Sequence, residues 1–465
     1  MASPLSPLSL HVKRLSQWSL EELSGSFPEL TDVLAQLDFA FRERIFSPVV
    51  TFWLFLSQVL SEGASCQEMV TRALAALWLT EGKRASPHNA AYCQARQRLP
   101  ASFLPALAER LAARLEGQVG LPHLWRGRRV KIVDGSSVSM PDTAANQQAY
   151  PQPTGQRAGC GFPVMRVVVV FSLATGALLR LARGTLAQGE RSLFQGVADA
   201  LQPGEILLAD RGFCSFAEVY LLLQRGVDAV LRNHQRRRVG VRCQKKLRRG
   251  DRLVEWIQTS KSCPAWMALH TWLELPPTLS LREITFPVAV RGFRSRTIVV
   301  VTTLTDPKRF PKDAFAELYF QRWQGELFLR DLKISLHLDV LRCKTPEMIH
   351  KELWMHLIAY NLIRSLIWMA AQRHHVAVLS ISFKSCLAST RQWAPWMAAL
   401  DPTSRRFSRT HQLLLKYLAQ QLVLYRPYRV EPRARKRRPK NFPLLTAPRK
   451  LYKEIRHRNQ YRKNP

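Results

Sequence analysis

Apolar residues recur at helical spacing through most of the first 120 positions. The pattern predicts helices over 20–37, 49–60, 66–79 and 103–115. Ser86-Pro87 opens a further short helix, with proline suited to its first turn, and 88–98 is polar and basic along one side. At Arg128 the period shortens to two. A β-rich run over 129–133 ends in Asp134-Gly135-Ser136-Ser137, and strands at 164–173 and 178–183 flank the turn at Thr175-Gly176. Then come a helical stretch at 190–201, a wholly apolar strand at 206–209 ending in Asp210-Arg211-Gly212, a helix at 215–224 and a strand at 228–232. The order β-β-β-α-β-α-β predicts a mixed sheet with helices on its faces.

Beyond 235 the alternation returns at 252–258, 281–291 and 295–303, broken by Pro and Gly turns, which reads as an inserted antiparallel β subdomain. Helices follow around 319–333, at 346–372 and across 383–423. The most apolar run, 353–371, contains His356, Asn361 and Arg364, so we read it as a buried helix and not a membrane span. No internal repeat interrupts this order.

Charge narrows the class. The chain carries 69 Lys+Arg against 34 Asp+Glu, a formal net charge of +35, which implies a polyanionic partner. Nucleic acid is the first candidate and an anionic membrane surface the second. Basic clusters stand at 236–238, 245–246 and 248–249, and again from 426 onward in Arg433-Ala434-Arg435-Lys436-Arg437-Arg438-Pro439-Lys440. With that charge, the N-terminal helices are expected to contact DNA, the plainer alternative being a helical scaffold that merely packs on the sheet domain. The eight cysteines are scattered singly, without paired metal-ligand spacing, which speaks against a zinc site or disulfide framework. No secretory signal opens the chain, and a cytoplasmic setting is expected.

One stretch concentrates chemistry. A helix turns about 100° per residue, so Tyr319, Arg322, Glu326, Arg330 and Lys333 would fall within an arc of roughly 80°. Most of the remaining circumference is apolar, the reverse of a surface helix. This suggests an embedded helix showing one charged stripe to a cleft, although a buried network of ion pairs would look the same. Asp134 and Asp210 each end a strand, where sites gather in open α/β sheets, but Asp is also common there as a turn or cap residue. Three carboxylates from two strands and a helix would suit divalent cations with hard oxygen ligands. Two such ions about 4 Å apart can drive phosphodiester displacement. Arg322, Arg330 and Lys333 would then hold phosphates, Tyr319 could donate its hydroxyl, and Trp323 could stack on a base or sit in the core.

Val133-Asp134-Gly135-Ser136, Ala209-Asp210-Arg211-Gly212-Phe213 and Tyr319-x2-Arg322-x3-Glu326-x6-Lys333 together resemble the three motif regions of bacterial insertion-sequence transposases, the insertion-sequence-four family of D-D-E enzymes. The resemblance spans roughly 85 to 445 and includes Ala91-Tyr92-Cys93-Gln94-Ala95-Arg96 and the Arg437-Arg438-Pro439-Lys440 tail. It implies an α/β fold: a ribonuclease H-like mixed-sheet catalytic core over 126–234 and 304–372, interrupted by the β insertion at 235–303. An all-helical N-terminal domain over 1–125 and a helical, basic C-terminal region over 373–465 would flank it. The resemblance further implies that Asp134, Asp210 and Glu326 ligate Mg²⁺, or Mn²⁺ in its place. Tyr319, Arg322 and Lys333 would contact DNA near the scissile end, with Arg211, Arg330 and Trp323 as further contacts. The implied partners are double-stranded DNA, as terminal inverted repeats and target, and a second copy of the chain in a paired-end complex, with no membrane. The implied activity is cut-and-paste transposition. A nuclease of the same fold without strand transfer, or an inactive DNA-binding protein, is the alternative.

Overall fold

The computed structural model describes residues 33, 36, 37, 44–81, 85–233, 240–287, 297–398, 400, 401, 403–424, 446–448, 451 and 452. The helix expected at 20–37, the arginines at 236–238 and the basic tail fall largely or wholly outside these residues.

Among the described residues, four helices lead in: α1 (Pro48–Leu60), α2 (Cys66–Glu81), α3 (Ala90–Arg98) and α4 (Phe103–Gly117). The Ser47 side chain caps α1 by accepting the Val50 N–H at 3.4 Å, and Pro48 occupies the first turn, where its missing N–H costs nothing. Every residue of α1 except Gln58 is buried, which makes it the hub of the helical module and not a surface element.

The sheet begins with β1 (Val130–Ser139). The short helix α5 (Ala144–Ala149) leads to β2 (Val164–Ser172) and β3 (Leu178–Thr185), and these three strands pair antiparallel as a meander. Helix α6 (Glu190–Gln195) is shorter than the expected 190–201. Gly196 closes it through its N–H to Leu193, and only a 3-10 turn at Ala198–Ala200 comes after it. Strand β4 (Ile206–Ala209), helix α7 (Phe216–Gln224) and strand β5 (Asp228–Arg232) complete the alternation, with β4 and β5 parallel to β1. Strand β1 outlasts β4. Its pairing with β4 stops at Ile132–Leu208, while its pairing with β2 runs on to Ser139–Val164. Asp134 stands in that overhang.

The inserted segment holds β6 (Val241–Arg248), β7 (Asp251–Ile257), the short α8 (Leu269–Leu273), β8 (Thr278–Pro287) and β9 (Thr297–Thr302). It does not form a sheet of its own. Strand β9 pairs antiparallel with β5, so the nine strands among the described residues make one sheet in the order β3-β2-β1-β4-β5-β9-β8-β7-β6. The physical reason is that β5 would otherwise present an unpaired edge. The outer edge falls instead to β6, where Arg242, Lys245, Lys246 and Arg248 stand exposed, and such charge discourages further strand addition. Inside the insertion, the fully buried Arg282 makes a bidentate pair with Asp251 (2.8 and 2.6 Å) and donates to the Phe310 carbonyl at 2.7 Å.

Two helices, α9 (Lys312–Gln321) and α10 (Trp323–Arg330), and a π-helical turn at Asp331–Ser335 replace the single helix expected around 319–333. Helix α11 (Pro346–His374) then passes through the centre of the molecule, packing on α4, α1 and two C-terminal helices, α12 (Phe383–Ala398) and α13 (Arg405–Ala419). Two of its buried polar side chains bond to the sheet. The Asn361 amide exchanges two hydrogen bonds with the Leu178 backbone (2.9 and 2.8 Å), and the Tyr360 hydroxyl donates to the Gly176 carbonyl at 2.8 Å. Gly176 makes this turn possible, because its φ of +69° is strained for any other residue. Among the described residues, no helix is long and apolar enough to cross a membrane.

Candidate active site

Three elements bring carboxylates to one place. Asp134 sits in the β1 overhang and accepts the Gly135 N–H at 2.8 Å. Asp210 follows the last residue of β4 and caps the 3-10 turn at Arg211–Phe213, accepting the Gly212 N–H at 2.5 Å. Glu326 lies in the first turn of α10. That helix can approach β1 because Gly325 has no side chain: a Cβ there would stand 2.8 Å from Ile132 Cγ2 and 3.7 Å from Asp134 Oδ2. Asp134, Asp210 and Glu326 line one cavity of about 290 Å³, together with Arg322, Arg330 and Lys333.

Electrostatics couple the group. Burial pushes the Asp134 carboxyl up to about 6; the Gly135 N–H and Arg322 draw it down, while Asp210 and Glu326 push it up. Arg322 donates to Glu326 Oε1 at 2.6 Å. Burial works against the Arg322 charge, but that bond, with Tyr319, Glu326 and Asp134 nearby, holds its guanidinium above the ordinary value. Among the described residues, no three carboxylate, imidazole or thiol side chains are drawn into a closed metal-ligating cluster. The donor chemistry nevertheless fits a divalent cation. The half-buried Asp134 carboxylate faces two others that oppose its charge, a repulsion a cation among them would relieve, and all the donors are hard oxygens.

The other expected residues divide. Lys333 lies on the π-turn and reaches back to β1, donating to Ser136 Oγ (3.1 Å) and the Ser137 carbonyl (2.9 Å). Arg330 is exposed at the cavity. Tyr319 is buried behind it, against Phe286, and burial pushes its phenol up to about 12 despite the nearby Arg322 and Arg232. Trp323 is exposed and Arg211 is exposed on the 3-10 turn; neither lines the cavity. Four members of the stripe, Arg322, Glu326, Arg330 and Lys333, therefore share the cavity, and Tyr319 does not. Tyr319 points into the protein, and the chain breaks between α9 and α10 at Arg322.

Sequence reasoning missed two residues of α6. The Glu190 carboxylate covers Gly135, so that a Cβ on Gly135 would lie 2.6 Å from it. Arg191 donates to the Gly212 carbonyl at 2.7 Å and pairs with buried Glu218 at 3.5 Å, bracing the turn that carries Asp210. The only signal available was two charged residues at a helix start.

Residues 125–362, just over half of the chain, match the family model described as a transposase DDE domain. The transposase InsG for insertion sequence element IS4 of Escherichia coli (strain K12) is 25% identical over 415 residues, covering 88% of this chain and 89% of that protein. The transposase for insertion sequence element IS421 of Escherichia coli is 36% identical over 70 residues, 15% of this chain and 19% of that one. Among solved structures, a cryo-EM structure of the piggyBac transposase synaptic complex with hairpin DNA aligns with 92% of this chain and 87% of its own, at a TM-score of 0.42 and 9% identity.

Proposed function

The chain belongs to the transposase DDE domain family, and on that premise we propose that it cuts DNA at the ends of its own mobile element and joins the freed 3′ hydroxyls to target DNA. The observation that carries this reading is the cavity where carboxylates from β1, β4 and α10 meet three cations. The sheet order supports a ribonuclease H-like core over 126–234 and 304–372: an antiparallel meander followed by two parallel strands, with 235–303 inserted before α9.

Asp134, Asp210 and Glu326 would hold Mg²⁺, or Mn²⁺ in its place. When bound, such ions polarise phosphate oxygens and lower the proton affinity of an attacking oxygen. Water displaces the 3′ oxygen at the element end, and the 3′ hydroxyl so formed displaces a 3′ oxygen in the target strand. Arg322 keeps Glu326 turned toward Asp134 through the 2.6 Å bond. Lys333, fixed on β1 by its two bonds, places a point charge beside the reacting phosphate, and Arg330 presents a planar fork for a neighbouring one. Tyr319 supports Arg322 from behind. Trp323 and Arg211, exposed on either side, contact DNA farther from the reacting bond. The terminal inverted repeats are bound by a pair of chains, in the bacterial cytoplasm.

The test is incubation of purified protein with Mg²⁺, a supercoiled target and a duplex carrying the element's terminal repeats. Joined products are the expected result. Cleavage without joining would make the protein a nuclease, and binding alone would make it an inactive DNA-binding protein.

A further inference from the structure

A second and larger cavity, about 600 Å³, lies where the helical module meets the segment after Lys333. Its walls come from α1, α2 and α3 on one side and from residues 336–356 on the other. Two of its nitrogens stand out. Arg96 is 8% exposed; its side chain donates to Gln58 Oε1 at 3.2 Å and its guanidinium lies 4.7 Å from the Phe55 ring centre, yet its Nε has no hydrogen-bond partner among the described residues. His356 is 6% exposed, and its Nδ1 is likewise without one. A buried polar group left unpaired is costly, and such groups mark places where something else supplies the partner.

The charge around them is mostly positive. Arg96, Arg342 and Lys344 line the cavity against a single carboxylate, Glu352, whose oxygens already accept the Arg342 and Cys343 N–H groups at 2.9–3.0 Å. The remaining lining is mixed. Phe55, Val59, Leu336 and Met348 offer apolar surface, while Asn89 and Gln97 offer amides able to pair with a base edge. The volume far exceeds what a lone phosphate needs and is of the size that encloses small organic ligands, about 300–1,000 Å³.

We propose that this cavity is a nucleotide-binding site, with the phosphate held by Arg96, Arg342 and Lys344 and the base lying among the apolar and amide groups. It is distinct from the carboxylate cavity and does not rest on the catalytic reading. The ligand is a nucleoside monophosphate, either free or as the terminal residue of a DNA strand.

The experiment measures binding of deoxynucleoside monophosphates to the full-length protein by calorimetry. In parallel, N-ethylmaleimide labelling of Cys66 and Cys93, both of which line the cavity, is followed by mass spectrometry. We expect a monophosphate to bind and to slow labelling of Cys93, with the matching nucleoside and inorganic phosphate each weaker by roughly tenfold or more. Arg96→Met should weaken binding similarly. Because Arg96 is buried and Arg342 also donates to the Ala64 carbonyl at 3.4 Å, the exposed Lys344→Ala serves as the variant that leaves packing alone, and Arg342→Ala and Lys344→Ala should each weaken binding several-fold. Glu326→Gln should bind as wild type does, which separates this site from the catalytic one. Competition by a 5′-phosphorylated single-stranded oligonucleotide would identify a strand end as the source, and its absence a free nucleotide. No binding, protection by inorganic phosphate equal to that by nucleotide, or affinity unchanged in Arg342→Ala and Lys344→Ala would overturn the proposal.

Discussion

Gly325 sets how closely the helix bearing Glu326 lies on β1. Alanine normally favours a helix over glycine by about 1 kcal/mol. Here its methyl would meet Ile132 Cγ2 at 2.8 Å, and overpacking of that kind costs about 1–3 kcal/mol. We expect Gly325→Ala to lower strand cleavage at least tenfold, because displacement of about 1 Å at a reacting site has that effect or more, while DNA binding by gel shift changes little. Wild-type cleavage by that variant would contradict the close-approach role. At this scale Asp210 was legible as a strand-end residue, because the short apolar run of β4 ends where expected, whereas the run at 129–133 is only the first half of β1, which continues past Asp134 to Ser139. Glu190 and Arg191 were not legible: they approach Gly135 and Gly212 only because α6 packs over β2, and no local pattern announces that contact.

The π-turn after α10 shows what element arithmetic leaves out. Ideal helical spacing put Tyr319 through Lys333 on one stripe; Arg322, Glu326, Arg330 and Lys333 do share the cavity, but the wider turn at Asp331–Ser335 also ties Lys333 to β1, which the spacing did not foresee. The turn is held from outside. Arg364 on α11 donates to Asp331 at 3.1 Å, and its guanidinium lies 4.6–5.2 Å from the ring centres of Phe328, Tyr360 and Phe383. Arg364→Met would leave the buried Asp331 carboxylate with only the exposed Arg330, 3.9 Å away, at a cost of about 3 kcal/mol. Asp331→Asn in the same chain should recover part of it. A loss below about 1 kcal/mol in urea unfolding would show that the pair does not hold the turn. The same helix makes stability depend on pH. Burial, with His337 and Arg342 nearby, pushes the His356 imidazole down to about 3. That is below the unfolded value of about 6.5, so the unfolded chain binds the proton first. The stability is present above about 6.5 and lost as pH falls toward 3. Between pH 7.5 and 5 the share from His356 is about 2 kcal/mol, and His356→Gln should remove it from the urea midpoints. An unchanged slope would count against the buried neutral imidazole.

For the whole molecule, strand alternation located most of the inserted segment, yet it gave no hint that the segment would extend the central sheet. Periodicity says which face of a strand is buried and nothing about which edge it pairs. Because β9 joins β5, the insertion and the core should unfold together. Arg282→Met, which leaves Asp251 buried and unpaired, should cost about 3–5 kcal/mol and lower one common transition. Two separate transitions by hydrogen exchange would mean an independent subdomain. The net charge of +35 was legible at once, but the second cavity was not, since it forms between helices and a loop more than 200 residues apart.

The most direct test of the catalytic reading is single-turnover cleavage of a terminal-repeat duplex by Glu326→Gln in Mg²⁺, with affinity measured on the same DNA. The substitution keeps the shape of the side chain and its bond from Arg322 while removing the charge. We expect affinity within a few-fold of wild type and cleavage slower by on the order of 10³-fold or more. Cleavage at the wild-type rate would contradict the assignment of Glu326, and with it the carboxylate cavity, as the catalytic centre.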